Sequence, residues 1–230
     1  MEAIVLAGGL GTRLRSLITD IPKPMAPVNG KPFLYFIFEY LYKQGINRVI
    51  LSIGYKHDVI EDFLGNCYKN IHIIYSVEDE PLGTGGAIKK ALEKVSCSEV
   101  FILNGDTFFG INLNNLYQKH LLLESNLTLA LKPMKEIDRY GIVLTSGDRI
   151  IKFEEKKYQK TGNINGGLYI ARNDLFSNID LPEKFSFEKD FLEVYCNILI
   201  FNSYIEDSYF IDIGIPKDYE TAQRELICNI

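Results

Sequence analysis

The stretch Ala3-Ile4-Val5-Leu6-Ala7-Gly8-Gly9-Leu10-Gly11-Thr12-Arg13-Leu14, continued by Ile21-Pro22-Lys23-Pro24-Met25, decides how the rest of the chain is read. The apolar run 3–6 reads as the first buried strand of an α/β sheet, so the glycines fall in the turn beyond its carboxyl end. Open α/β sheets bind ligands at that edge. Three glycines in four positions let the backbone approach a ligand and turn N–H groups inward, while Arg13 and Lys23 supply cations for phosphate oxygens. A tight turn with solvated basic residues is the plainer alternative. Two common phosphate templates are missing: Gly9 and Gly11 are followed by Leu14 where a dinucleotide fingerprint needs glycine, and Gly30-Lys31 is followed by Pro32 where a Walker loop needs Ser or Thr. The expected guest is a nucleotide held in some other way.

The run Gly-Gly-Leu-Gly-Thr-Arg-Leu, followed by Pro22-Lys23-Pro24 and Gly30-Lys31-Pro32, closely resembles the signature of the sugar-1-phosphate nucleotidyltransferases. The resemblance implies attack by a sugar 1-phosphate oxygen on the α-phosphorus of a nucleoside triphosphate, with release of pyrophosphate. It implies a nucleotide site at Leu6, Ala7, Gly8, Gly9, Gly11, Thr12 and Arg13. Arg13 is expected to cover the pyrophosphate and Lys23 the α-phosphate.

Composition narrows the field independently. The 230 residues are 47% apolar and 24% charged, enough for a large core, and the net charge of −5 gives no global attraction to nucleic acid or an anionic membrane. No secretory signal is visible at the amino terminus, and no stretch nears the ~20 apolar residues that span a bilayer, so a cytoplasmic protein is expected. Cys67, Cys97, Cys196 and Cys228 are scattered without Cys-x-x-Cys spacing, which fits reduced thiols better than a disulfide framework or zinc site. His57, His72 and His120 are isolated and read as structural or surface residues.

Along the chain, a buried helix over 33–42 stops at Gly45, a strand follows at 48–53, a short helix at 58–64 closes at Gly65, and a third strand lies at 71–75. Pro81-Leu82-Gly83-Thr84-Gly85-Gly86-Ala87 then opens a helix running to Leu92. Glycines there could let a flat ring lie on the backbone with free N–H groups reading its edge, or could simply form a flexible loop. The resembled family contacts base and ribose at this point, which implies roles for Gly83, Thr84 and Gly85. Leu-Gly-Thr-Gly-Gly-Ala is most similar to the guanylyl-transferring members.

A fourth strand at 100–103 delivers Asn104-Gly105-Asp106-Thr107 to the same edge as the glycine loop. Asp106 there is either a helix cap or a carboxylate able to hold magnesium, and its match to the family's Gly-Asp motif implies the first metal ligand. A helix at 113–123 and a strand at 127–131 follow. The rhythm then changes to a hairpin, 141–144 and 149–153 around Ser146-Gly147-Asp148. Glu154 and Lys156, two apart on a strand, point to one face; the family's adjacent Glu-Lys pair matches Glu155-Lys156, without its usual following proline. The match implies that this pair meets the sugar phosphate, and that Tyr140-Gly141 and Asn165-Gly166-Gly167 (with Asn165 and Gly167 as the contacts) meet the sugar. A bulge is the alternative for those glycines. A helix at 186–196 and strand-like pieces at 199–201 and 204–205 lead to Asp212-Ile213-Gly214-Ile215-Pro216, similar to the segment carrying the family's second metal aspartate. Asp212 takes that place, ahead of a terminal helix, and the chain reads as a bare catalytic unit.

The expected fold is a three-layer α/β/α, Rossmann-like nucleotidyltransferase fold with a mostly parallel central sheet and a smaller β-rich sugar-binding insertion. Residues 1–132 would bind the nucleotide, 133–207 the sugar, and 208–230 would bring the second metal ligand and terminal helix. Mg2+ is the implied cofactor, and a homodimer is compatible with apolar helix faces. Within the family the motifs resemble members that join GTP to a heptose 1-phosphate, implying a GDP-heptose for surface polysaccharide. Mannose and glucose 1-phosphates are the near alternatives, and a nucleotide-sugar sensor or regulatory subunit without turnover is the alternative of another class.

Overall fold

Four apolar strands form the half of the sheet nearest the glycine turn. A computed structural model describes residues 1–9, 21–154 and 157–229 of the chain. Strands β1 (Glu2–Leu6), β2 (Arg48–Ile53), β3 (Ile71–Val77) and β4 (Glu99–Asn104) run parallel in the order β3-β2-β1-β4. Successive side chains on a strand point to opposite faces. Ile4, in register with Ile50 and Ile102, packs into one core, whereas Ala3 and Val5 pack into the other with Val49, Leu51, Phe101 and Leu103. Apolar layers on both faces explain why these strands read as continuous apolar runs.

The helices sort to those two faces. Helices α1 (Phe33–Lys43), α2 (His57–Leu64), α4 (Leu113–Leu122) and α5 (Pro216–Glu225) contribute to one core, and α3 (Gly83–Leu92) contributes Ile88 and Ala91 to the other. The aromatic residues of α1 are core: Phe33, Phe36 and Phe38 are buried, and buried Tyr40 donates to the Ile111 carbonyl at 2.7 Å. Gly45 (φ +76°) and Gly65 (φ +59°) end α1 and α2 in the left-handed region that glycine tolerates.

Beyond β4 the sheet changes direction. Strands β5 (Thr107–Phe109) and β11 (Phe210–Asp212) form a separate two-stranded ladder, while β6 (Leu127–Ile137), β7 (Ile142–Ser146), β8 (Arg149–Glu154), β9 (Gln159–Arg172) and β10 (Phe201–Ile205) complete the main sheet together with the short edge strand Cys67–Tyr68 beside β3. Strand β9 lies antiparallel to both β4 and β6, and β7 pairs antiparallel with β8 as the expected hairpin. Single pairings, Ile142 with Ile164 and Arg149 with Asn202, join β7 to β9 and β8 to β10, so β7, β8, β10, β6 and β9 close a circuit. The ten-stranded sheet is therefore mixed: parallel through β3-β2-β1-β4 and at β10–β6, antiparallel elsewhere. This corrects the expectation of a mostly parallel sheet; antiparallel neighbours need no helical crossover, and this half has few helices.

Three further elements differ from the sequence reading. Strand β6 continues through Pro133, which lies opposite Asn163, well past the expected end at 131. The helix expected over 186–196 is a π-helical turn at Phe187–Leu192 followed by one α turn at Glu193–Tyr195, with the Ser186 hydroxyl accepting the Lys189 N–H. Within it Phe187 stacks on Phe191 with ring centroids 5.4 Å apart. In place of the pieces expected at 199–201 and 204–205 there is the single strand β10, Phe201–Ile205.

Candidate active site

The site begins where β1 and β4 end side by side. The Gly105 N–H donates to the Leu6 carbonyl at 2.9 Å, and a Cβ at Gly105 would stand 2.6 Å from that oxygen. Only glycine permits this approach, which sets Asp106 on the edge carrying Gly8 and Gly9. Strand β5 then pairs with β11, Thr107 opposite Asp212, and the Ile213 N–H donates to the Asp106 carbonyl at 3.0 Å. Two aspartates far apart in sequence become neighbours through this short ladder, which the sequence reading did not contain.

Lys23 faces both. It lies in a single helical turn, Lys23–Met25, entered from Pro22, and its ammonium is 2.5 Å from Asp106 Oδ2 and 3.7 Å from Asp212 Oδ1. The lysine side chain is 9% exposed and Asp106 34%, so the cation is buried behind an accessible carboxylate. Asp212 is further fixed by the Gly214 N–H at 2.8 Å and the Tyr140 hydroxyl at 3.4 Å. Burial, reinforced by the negative charge of Asp212, raises the Tyr140 pKa, so its hydroxyl keeps the proton it donates. Arg139 pairs with Asp218 at 2.6 Å; burial works against its charge, but the bond to Asp218 and the nearby Tyr140 and Asp212 hold its pKa up. Among the described residues no three His, Cys, Asp or Glu side chains converge, so the acidic centre is this pair.

On the β9 side, Asn165-Gly166-Gly167 forms a bulge against β6. Gly167 is left-handed (φ +67°) and a Cβ there would meet Asn104 Nδ2 at 2.6 Å. The Asn165 amide accepts the Gly167 N–H at 3.0 Å and donates to the Tyr169 hydroxyl at 2.8 Å, so it braces the bulge. Gly141 packs its backbone against the hairpin, where a Cβ would lie 2.7 Å from the Glu154 carbonyl. Asn104, missed by the sequence reading, sits between this bulge and Asp106; its position directly before Gly105-Asp106 was the available signal.

On the other side, a cleft of about 410 Å³ opens at the carboxyl ends of β1, β2 and β3, between Gly8, Gly54, Tyr55, Glu78 and Pro81. Buried Ala7 extends the ladder past β1 by donating to the Ser52 carbonyl at 2.7 Å, and among the described residues no atom lies within 4 Å of a would-be Cβ at Gly9. The start of α3 departs from expectation. The Gly85 and Gly86 N–H groups, expected to be free, both donate to the Phe185 carbonyl, at 3.0 and 3.4 Å. A Cβ at Gly83 would meet that carbonyl at 2.5 Å and one at Gly85 would enter the Phe185 ring at 2.1 Å. The Thr84 hydroxyl donates to Glu188 at 2.8 Å and accepts from the Phe187 N–H at 2.9 Å. These glycines seat α3 on the segment around Phe185, leaving Gly83 and Thr84 at the surface. Gly11, Thr12, Arg13, Glu155 and Lys156 lie outside the described residues.

The sequence pattern of the nucleotidyl transferase family matches residues 2–228. The chain belongs to this family. A nucleotidyl transferase from Aneurinibacillus thermoaerophilus, a D-glycero-alpha-D-manno-heptose 1-phosphate guanylyltransferase, is 58% identical over 226 residues, covering 98% of each chain. A guanylyltransferase of the same name from Campylobacter jejuni subsp. jejuni serotype O:2 is 54% identical over 220 residues, 95% of this chain and 97% of the relative. The crystal structure of HddC from Yersinia pseudotuberculosis complexed with GMP-PN superposes with a TM-score of 0.86 at 39% identity, covering 97% of this chain and 98% of that one. Among the described residues no helix is long and apolar enough to cross a membrane.

Proposed function

We propose that this nucleotidyl transferase moves GMP from GTP onto D-glycero-alpha-D-manno-heptose 1-phosphate, giving GDP-heptose and pyrophosphate. Full-length similarity to two guanylyltransferases of that name supports the substrate pair. The observation that carries the chemistry is the convergence of Asp106, Asp212 and Lys23 at the edge bearing Gly8 and Gly9. A phosphate oxygen of the sugar bonds to the α-phosphorus as the bond from that phosphorus to the bridging oxygen of the β-phosphate breaks, and pyrophosphate leaves with the electron pair. The nucleophile is already an anion at neutral pH, so no side-chain nucleophile is needed. Catalysis rests on holding two anions in line and neutralising the charge between them.

The residues present fit Mg2+. Asp106 and Asp212 both reach the Lys23 ammonium, so they can share one cation, and two carboxylates completed by phosphates and water suit magnesium. When bound it would supply charge neutralisation at the reacting phosphates. Lys23 is assigned to the α-phosphate, Arg13 to the pyrophosphate, and Lys156 with Glu155 to the sugar phosphate. Leu6, Ala7, Gly8, Gly9, Gly11 and Thr12 are assigned to the nucleotide, with Gly83, Thr84 and Gly85 at its border. Tyr140, Gly141, Asn165 and Gly167 shape the sugar side. Residues 1–132 thus serve the nucleotide, 133–207 the sugar, and 208–230 carry the second metal ligand, in a cytoplasmic enzyme supplying surface polysaccharide synthesis.

The test is magnesium-dependent pyrophosphate release from GTP, ATP, UTP, CTP and dTTP, each paired with heptose, mannose and glucose 1-phosphates. Release with GTP and the heptose phosphate is expected. Another productive pair would keep the chemistry and replace the substrate, whereas silence from folded protein that still binds a nucleotide would favour a sensor.

A further inference from the structure

Glu78 follows directly after β3 and lines the cleft beside Gly8. Its carboxylate is locked in place: Oε1 accepts from the Ser52 hydroxyl at 2.9 Å and Oε2 from the Leu82 N–H at 3.1 Å, while its own N–H donates to the Ile53 carbonyl at 2.8 Å. An ionised carboxylate only accepts, and its two oxygens offer about four lone-pair sites. Among the described residues the bonds it accepts use one on each oxygen, which leaves one on each. The glycine turn keeps that edge uncovered, since a Cβ at Gly8 would lie 2.8 Å from Glu78 Oε1. Tyr55, 38% exposed, and Pro81 add flat surfaces on which an aromatic ring can rest. A cleft of about 410 Å³ is in the size range of small-molecule sites.

We infer that Glu78 is the specificity-determining residue for guanine, its two outward lone pairs accepting from the base's N1–H and N2–H groups. The pattern follows from the bases themselves. Guanine presents two adjacent donors on its pairing edge; adenine and cytosine set a donor beside an acceptor, and uracil and thymine flank one donor with acceptors. A carboxylate therefore meets guanine with two bonds and forces lone pair against lone pair with each of the others. Asp79 also lines the cleft but is exposed and lacks the double anchoring of Glu78. The inference rests on the guanylyl reading above and deepens it.

The decisive comparison is kcat/KM for GTP against ITP, which lacks only the N2 amine, in the unaltered chain and in Glu78→Gln, with one sugar 1-phosphate throughout. Losing one hydrogen bond to a charged acceptor should set ITP roughly 10- to 100-fold below GTP in the unaltered chain. The proposed pose sets the N2 amine on Oε1 and N1–H on Oε2; glutamine preserves size, and its oxygen must stay on the Leu82 N–H, so its amide nitrogen takes the Oε1 place and repels the N2 amine. The GTP preference should then shrink to within about threefold, against a parental melting temperature. Equal use of GTP and ITP by the unaltered chain, or an unchanged ratio in Glu78→Gln, would overturn the assignment to Glu78 alone. Turnover of a pyrimidine triphosphate but not GTP would remove the guanylyl reading as well.

Discussion

Substituting Gly105 by alanine tests whether the approach of β4 to β1 positions Asp106. The Gly105 backbone angle is outside the left-handed region, so alanine is not barred by conformation; the obstacle is the Leu6 carbonyl, 2.6 Å from the new Cβ. Both groups are backbone, and no side-chain rotation relieves the contact. Opening it to an ordinary separation means moving the strand ends apart by about 0.8 Å and weakening the Gly105 N–H bond to the same oxygen, at a cost of ~1–3 kcal/mol typical of overpacking. In a domain of this size each kcal/mol lowers the melting temperature by about 2–4 °C, giving a fall of roughly 2–12 °C. Asp106 is the next residue and moves with the loop; a misplacement approaching 1 Å costs on the order of a hundredfold in rate. Melting followed by circular dichroism and pyrophosphate release measure the two effects. Gly9→Ala is the control: among the described residues its Cβ meets nothing within 4 Å, so the melting temperature should hold while nucleotide affinity falls. A Gly105→Ala protein with parental melting and turnover within about threefold would refute the reasoning.

Asp106→Asn keeps the shape and removes one charge from the acidic pair, so turnover should nearly vanish; retention within about tenfold would take Asp106 out of the chemistry. Lys156→Ala should raise the Michaelis constant for the sugar phosphate more than that for GTP, and equal effects would remove its assigned partner. Buried His120 binds Glu99 and the Thr128 hydroxyl, each at 2.8 Å, and burial lowers its pKa against the opposing pull of Glu99. Its folded pKa lies below the unfolded value, so its contribution to stability is present above about pH 6.5 and is lost as pH falls from there toward the folded pKa, by at most ~1.4 kcal/mol per pH unit. Denaturation midpoints between pH 7.5 and 5.5 should show this slope, and His120→Gln should flatten it; an unchanged slope would assign the effect elsewhere.

The parallel strands and their glycine turn were legible because both signals are local: an apolar run of strand length, then residues whose only shared property is backbone freedom. Asp106 was legible for the same reason, lying directly after a buried strand. Its convergence with Asp212 was implied only by the family resemblance, because it depends on β5 and β11, three residues each, whose pairing leaves no periodicity in the sequence. The full length of β6 was hidden by Pro133, which ordinarily marks a strand's end, and the antiparallel entry of β9 into the sheet depends on pairings distant in sequence. The glycines of Gly83-Thr84-Gly85-Gly86 were seen but their neighbour was not. Nothing local to α3 announces that Phe185, from a segment about a hundred residues on, takes two of its N–H groups.

Those long-range contacts give the site a mechanical logic. Asp106 is carried by the parallel half of the sheet, Asp212 by a strand entering from the far end of the chain, and Lys23 by a turn between prolines; each reaches the centre from a different element. Two carboxylates brought this close repel each other, and the ammonium of Lys23, within reach of both, offsets part of that repulsion. In the proposed mechanism, entry of another cation and phosphate groups would weaken the lysine's claim on the aspartates and make its charge available to the incoming anions. A neutral replacement such as Lys23→Met should therefore act twice, weakening the unliganded fold around Asp106 and slowing turnover of the liganded enzyme. The first effect should be relieved by magnesium, while the second should persist at saturating magnesium because the α-phosphate still lacks its cation.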